Sequence, residues 1–93
     1  MNKFQNIPVD KDTKILHSQE VTLGEYQVLY EKWCWDGITA ESIIFLAKDV
    51  FYLNDADIKK EVRKLAIVNA DSDVTLKRSE SGYVFVNFNF AID

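Results

Sequence analysis

The spacing of apolar residues changes character about three quarters of the way along the chain. Between residues 23 and 65, apolar side chains recur every three or four positions, as on one face of a helix. From residue 83 to 92 every second side chain is apolar or aromatic, as along a β-strand. The pattern predicts an α+β fold with three helices followed by a C-terminal antiparallel hairpin.

The first predicted helix covers about residues 23–34. Thr22 and Glu25 have the T-x-x-E spacing of a capping box, in which each side chain bonds the backbone of the other residue. Asp36-Gly37 is a strong turn signal and ends the segment. The expected buried positions are Leu23, Tyr26, Leu29, Tyr30 and Trp33.

Two more helices are predicted between this turn and residue 66. Thr39 is a suitable N-cap for the second helix, and Asn54 for the third, which spans 54–66. The second helix would bury Ile43, Leu46, Ala47 and Val50, and the third would bury Ile58, Val62 and Leu65 along one narrow face.

The predicted hairpin covers residues 74–92, with its tip at 78–82. Its second strand, 83–92, separates two sets of side chains by strict alternation. Residues 1–12 are polar, and Pro8 keeps Ile7 out of helical geometry, so they predict a loosely ordered arm before a single domain at 13–93. One face of the strand would carry Val84, Val86, Phe88, Phe90 and Ile92, and the other Tyr83, Phe85, Asn87, Asn89 and Ala91.

Composition narrows the class of protein. The 93 residues suit one domain, and 47% hydrophobic residues are enough for a small core. The single cysteine, Cys34, cannot form an internal disulfide, and no apolar run approaches the roughly 18 residues that span a membrane. We therefore expect a cytoplasmic protein without a membrane segment.

Three helices and a hairpin in this order resemble a winged helix-turn-helix domain. The resemblance covers about residues 22–92 and rests on Leu46-Ala47-x-x-Val50 followed by Ile58, Val62 and Leu65. Phe51 stands where the turn of such domains commonly has Gly, and the turn is one residue longer than usual.

The resemblance implies a transcriptional regulator that binds double-stranded DNA. Helix 54–66 would be the recognition helix in the major groove, and hairpin 74–92 the wing. Arg63 would donate to a guanine edge, and lysines would neutralise phosphates. The implied DNA-binding residues are Lys59, Lys60, Arg63, Lys64, Lys77 and Arg78.

The charges also support an alternative. Acidic residues stand three or four positions from the bases of helix 54–66, as in ordinary surface ion pairs, and the net charge is −4. An acidic protein-interaction module, such as a small inhibitor, immunity protein or adaptor, fits that charge better. Its predicted interface uses aromatic residues, and the last strand could pair with a second copy in a homodimer. The candidate interface residues are Trp35, Phe51, Tyr52, Tyr83 and Phe85.

Other chemistry is weakly indicated. Asn69, Asp71, Asp73 and Glu80 have the spacing of a calcium loop, but Val74 stands where such a loop needs Gly. His17 and Cys34 are the only residues of their kinds and are too few for a zinc site. We predict no catalytic residue, no metal and no cofactor, and hence no enzyme.

Overall fold

The computed structural model describes residues 3–5 and 7–92, and a five-stranded antiparallel sheet forms its framework. The strand order across the sheet is β1-β2-β3-β5-β4. A 3-10 turn, Ala47–Asp49, and one helix, α1, lie between β3 and β4. The elements are β1 (Lys14–Leu23), β2 (Tyr26–Trp35), β3 (Ile38–Leu46), α1 (Asp55–Arg63), β4 (Thr75–Arg78) and β5 (Tyr83–Ile92).

The predicted first helix, 23–34, is wrong: this segment belongs to a hairpin. Leu23 pairs with Tyr26, and the two residues between them form the turn from β1 to β2. Gly24 has a φ of 61°, which suits glycine in a hairpin turn and does not suit a helix. The T-x-x-E spacing therefore marks a turn. Instead of a capping bond, the Gln27 side chain donates to the Thr22 hydroxyl across the hairpin at 3.0 Å.

The predicted second helix is also wrong, although the turn before it is in the right place. Asp36 and Gly37 have φ values of 49° and 77° and join β2 to β3. Two successive positive φ values characterise the tight turn that matches the twist of paired strands. Thr39 consequently lies within β3 and caps no helix.

The C-terminal elements agree better with the pattern. Asn54 caps α1, since its side-chain oxygen accepts from the backbone N–H of Asp57 at 2.8 Å. Strands β4 and β5 form the expected antiparallel hairpin. With one helix in the described residues, however, the fold of three helices and a hairpin is wrong, and so is the winged-helix architecture.

The front face of the sheet carries the main core. Ile58 and Val62 of α1 are completely buried and belong to the same cluster as residues from β2, β3 and β5. Spaced four residues apart, they present one helical stripe to the sheet. Their buried partners in the sheet include Val28, Ile43, Phe45, Val84, Val86 and Phe88.

The back face is covered in part by the N-terminal arm. Phe4 is only 6% exposed and packs in a second cluster with Leu29, Ile44, Leu46 and Tyr83. The Tyr83 hydroxyl donates to the Lys3 carbonyl at 3.3 Å. The prediction of a loosely ordered arm also includes Met1, Asn2 and Asn6, which, like Asp93, lie outside the described residues.

Asn89 fastens the segment after α1 to the sheet. Its side-chain oxygen accepts from the Asn69 backbone at 2.9 Å, and its nitrogen donates to the Ile67 carbonyl at 2.6 Å and to Glu41 at 2.7 Å. The hydroxyl of Ser72 accepts from the Asn89 backbone at 2.6 Å. These bonds satisfy backbone groups that α1 and the sheet leave unpaired.

Candidate functional site

A β-bulge in β5 decides which side chains the back face exposes. Asn89 has a φ of 55°, and the register between β3 and β5 shifts at this point. One extra residue in a strand reverses the alternation beyond it. Phe90 and Ile92 therefore lie on the back face, although Phe88 is buried at the front. The predicted single face from Val84 to Ile92 is thus wrong after Phe88.

The bulge completes an apolar patch at one end of the sheet. Trp35 is paired with Ile38, and Ile38 with Ile92, so the three side chains are neighbours on one face. Ile92 is 89% exposed, and Trp35 and Phe90 are 41% and 43% exposed. We call Trp35, Ile38, Phe90 and Ile92 the end patch.

A cleft of about 210 Å³ lies on the same back face of the sheet. Residues 7–10 of the arm line one side, and all five strands contribute side chains to the rest of the lining. We call it the back-face cleft. Its lining from the sheet includes Ile15, Glu31, Trp33, Ser42, Lys77, Phe85 and Asn87.

A row of polar residues crosses the back face, and three of its four members line this cleft. In register on neighbouring strands stand Ser18, Glu31, Ser42 and Asn87. The Trp33 indole donates to the Ser42 hydroxyl at 2.6 Å, and that hydroxyl donates to Asn87 Oδ1, also at 2.6 Å. Because an indole nitrogen can only donate, the Ser42 hydroxyl accepts from Trp33 and donates its own proton to Asn87. The Asn87 amide thereby keeps its Nδ2 donor for other partners at the cleft.

Glu31 is the charged residue of this row. Partial burial raises the pKa of its carboxyl above the ordinary value, an effect that a 3.5 Å hydrogen bond from Ser18 partly offsets. Within residues 3–5 and 7–92, both ion pairs lie elsewhere, between Glu61 and Lys64 and between Asp55 and Arg78. The Glu31 carboxylate thus has no cation to balance it in the described protein.

A second exposed aromatic group lies at the opposite end of the sheet. Phe51 is 79% exposed and contacts Tyr52 edge to face, with ring centroids 5.7 Å apart. The Tyr52 hydroxyl is hydrogen-bonded to that of Tyr26 and lies 3.3 Å from a Glu25 oxygen. The hydrogen bond with Tyr52 raises the pKa of Tyr26. Of the five predicted interface residues, only Phe51 and Tyr52 therefore lie in this group.

The other three predicted interface residues lie away from this group. Trp35 belongs to the end patch. Tyr83 is buried beneath Phe4, and Phe85 is partly buried in the back-face cleft. Of the five predicted residues, Trp35, Phe51 and Tyr52 are exposed and Tyr83 is buried, so the sequence does not show which aromatic side chains share one exposed surface.

The six predicted DNA-binding residues do not share one surface. Lys77 lines the back-face cleft, on the side of the sheet away from α1. Arg78 bonds Asp55 at 2.8 Å, Lys64 pairs with Glu61 at 3.2 Å, and Arg63 donates to the Ser72 carbonyl. The remaining two, Lys59 and Lys60, lie on α1, half-buried and exposed respectively. DNA binding by these side chains stays a prediction.

The weaker candidate sites are also placed. Ser72, within the calcium-like segment, bonds Asn89, and Asn69 does so through its backbone. His17 lies on β1 and is 3.4 Å from the Gln19 side chain, while Cys34 lies on β2. In the part of the chain that the structure describes, no three His, Cys, Asp or Glu residues are grouped as a metal site would require.

Sequence reasoning missed the polar row because it assigned its members to different elements. Glu31 and Ser42 were placed in two helices, and Asn87 on a surface strand. One signal was present: Asn87 interrupts a run of strongly apolar residues, and Ser42 directly precedes such a run. A polar residue within a buried strand needs a hydrogen-bond partner, and these two residues are partners of each other.

Among the described residues, no helix has the length and apolar character needed to cross a membrane. Comparison of the chain with protein-family models, curated proteins and solved structures finds no match.

Proposed function

We propose that this protein is a small protein-interaction module that binds another protein through the end patch. The observation that carries the proposal is the continuity of that patch: Trp35, Ile38 and Ile92 are direct cross-strand neighbours. Aromatic and aliphatic side chains that are exposed as one surface commonly mark a binding interface. The proposed setting is the cytoplasm, where a chain with one cysteine requires no disulfide.

The charge distribution favours a partner with basic residues around an apolar centre. The whole chain carries a net charge of −4. Asp36 stands in the turn beside Trp35, and Glu31 lies two strand positions from Trp33. Complementary charge speeds encounter and discriminates between partners more than it adds to affinity.

The end patch should be tested against a matched surface at the other end of the sheet. Ile92→Asp places a charge in the patch. Because the Ile92 side chain is 89% exposed, the substitution should leave the fold intact. Phe51→Asp makes the same kind of change at a side chain that is 79% exposed. Both tagged variants and the parent protein would be used for affinity capture with quantitative mass spectrometry.

The expected partner is recovered with the parent and Phe51→Asp proteins and lost with Ile92→Asp. The purified partner should then bind Ile92→Asp about tenfold or more weakly, since a charge buried in an apolar contact is costly. Equal binding by all three proteins would refute the proposal. Sedimentation analysis completes the test. If the parent protein is a dimer and Ile92→Asp is a monomer, the patch is a contact between two copies of this chain, which contradicts the proposal of a different partner protein.

A further inference from the structure

The back-face cleft combines an unbalanced carboxylate with aromatic and aliphatic walls. Glu31 stands between Ser18 and Ser42 across the strands, and neither side chain carries a charge. Along its own strand, the neighbours on the same face are Leu29 and Trp33. A partly buried carboxylate in such surroundings has lost part of its hydration. An adjacent cation would therefore stabilise its ionised form.

Two other charged groups face the cleft, and neither forms an ion pair with Glu31. Asp10 comes from the arm and adds a second negative charge. Lys77 comes from β4, three strand spacings from β2, which corresponds to about 14 Å between backbones. The end of the cleft near Glu31 is therefore negative, and a cation entering there meets its most favourable potential beside this carboxylate.

The walls suit an apolar group attached to that cation. Trp33 and Phe85 line the cleft from the sheet, and Ile7 and Pro8 line it from the arm. The hydrogen bond from the Trp33 indole to Ser42 holds the ring in one orientation before a ligand binds. An indole also attracts cations through the negative potential of its ring face.

We propose that the back-face cleft binds an organic cation, a primary ammonium or guanidinium group on an apolar stem, with Glu31 holding the charge and Trp33 contacting the stem. The ligand is either a free amine or the lysine or arginine side chain of a protein. The site is separate from the end patch and does not depend on the proposed function.

The ionisation of Glu31 gives the site a defined pH dependence. Burial raises the pKa of this carboxyl, and an adjacent cation would lower it again. Binding should therefore release protons near the pKa of the free protein, and affinity should rise with pH until Glu31 is fully ionised. The other polar influences at this group are Asp10, Lys77, Glu20 on the same face of the adjacent β1, and the hydrogen bond from Ser18.

Three probes of similar size test the charge requirement: 2-phenylethylamine, 3-phenylpropanoate and 3-phenylpropanol. Binding would be followed by tryptophan fluorescence and by amide chemical shifts of β2, β3 and β5. We expect saturable binding of the amine with a Kd on the order of 1 mM, as suits so small a ligand. The carboxylate and the alcohol should bind at least tenfold more weakly.

Glu31→Gln should weaken amine binding about tenfold or more and abolish its rise with pH. Glu80→Gln, which removes an exposed carboxylate from the turn between β4 and β5, is the matched control and should leave binding unchanged. Circular dichroism would confirm that both variants are folded. The proposal is overturned if the three probes bind alike, if the amine does not bind, or if Glu31→Gln binds it as the parent does.

A further comparison separates the two sources of the cation. A short peptide with one lysine between apolar residues would be compared with the amine, using the parent protein and Ile92→Asp. A peptide that binds more tightly than the amine, and loses this advantage in Ile92→Asp, identifies a protein side chain. Equal affinity for peptide and amine identifies a free amine. Amine binding should persist in Ile92→Asp, even if the end patch binds no protein.

Discussion

At the scale of single residues, Asn89 joins two roles that are usually separate. Its left-handed backbone creates the bulge in β5, and its side chain makes three hydrogen bonds to the segment after α1 and to β3. Asparagine tolerates this backbone conformation better than most residues. The same residue therefore shapes the end patch and secures the crossover that covers the front face.

Replacing Asn89 separates these roles. Asn89→Ala should lower the free energy of unfolding by about 2–4 kcal/mol, because it removes the side-chain bonds and strains the backbone. Asn89→Gly keeps the backbone relaxed and should lose about 1 kcal/mol less. Urea denaturation would measure both. A value for Asn89→Ala within about 0.5 kcal/mol of the parent would show that the bonds contribute little.

Glu31 illustrates a residue that is not optimised for stability. Its carboxyl has a raised pKa in the folded protein because burial disfavours the charge. The folded state then binds a proton more readily than the unfolded chain, so the free energy of unfolding falls as pH rises above the ordinary carboxyl value of 4.5.

Glu31→Gln should remove this loss. At neutral pH the variant is expected to be more stable than the parent, and the difference should shrink as the pH is lowered toward 4.5. Thermal melts between pH 4 and 8, with Glu80→Gln as a control for the change in net charge, would measure the effect. A parent protein that gains stability over Glu31→Gln as pH rises would contradict it.

At the scale of elements, the N-terminal arm takes the place of a second covering layer. The helix covers the front face, whereas on the back face Phe4 fills the space over Leu29, Ile44 and Tyr83. The arm also forms one wall of the back-face cleft. Any change that releases the arm should therefore alter the cleft as well as the stability.

Phe4→Ala should reduce the free energy of unfolding by about 3 kcal/mol, as expected when a large buried aromatic side chain is truncated. Val9→Ala, in the same arm but 51% exposed, should change it by less than about 0.5 kcal/mol. Chemical denaturation of both proteins provides the comparison. Equal stabilities of the two variants would indicate that the arm contributes nothing to the fold.

Local sequence signals predicted some elements and failed for others for identifiable reasons. The helix signals at Asn54, Ile58 and Val62 are unambiguous, because the N-cap residue and the narrow apolar face both indicate a helix in this segment. In β2, which is apolar on both faces, Val28 and Leu29 are adjacent and both buried. A strand buried on both sides has no clean alternation, so its apolar residues also fit a helical spacing by chance.

The candidate surfaces were less predictable than the elements. Trp35 lies in the end patch, but its neighbours there come from β3, which the pattern predicts as a helix, and from the part of β5 that the pattern places on the opposite face. Glu31 and Asn87 meet in the cleft only through the pairing of β2, β3 and β5. Contacts between distant segments depend on register, which no local pattern reports.

At the scale of the whole molecule, protection of the backbone should decrease from the centre of the sheet outward. Strand β3 is paired on both sides and largely buried, whereas β1 is an edge strand with mostly exposed side chains, and β4 has four residues. Local opening costs least where few buried contacts must break.

Hydrogen exchange should therefore be slowest in β3 and in residues 83–88 of β5, and faster in β1 and β4. Exchange measured by NMR under native conditions would give the order directly. Amides of β1 that exchange as slowly as those of β3 would mean that the free edge is covered in solution, for example by another chain.

The bulge at Asn89 also affects how proteins with the same surface can be recognised from their sequences. Phe90 and Ile92 reach the back face only because one extra residue stands in β5. A related strand without that extra residue would run regularly from its counterpart of Phe88 and would still place its apolar residues opposite the same partners in β3, on the back face. A chain that shows a one-residue gap at the bulge would therefore keep the end patch, whereas a chain that aligns without a gap but forms a regular strand would turn the same apolar residues to the front face.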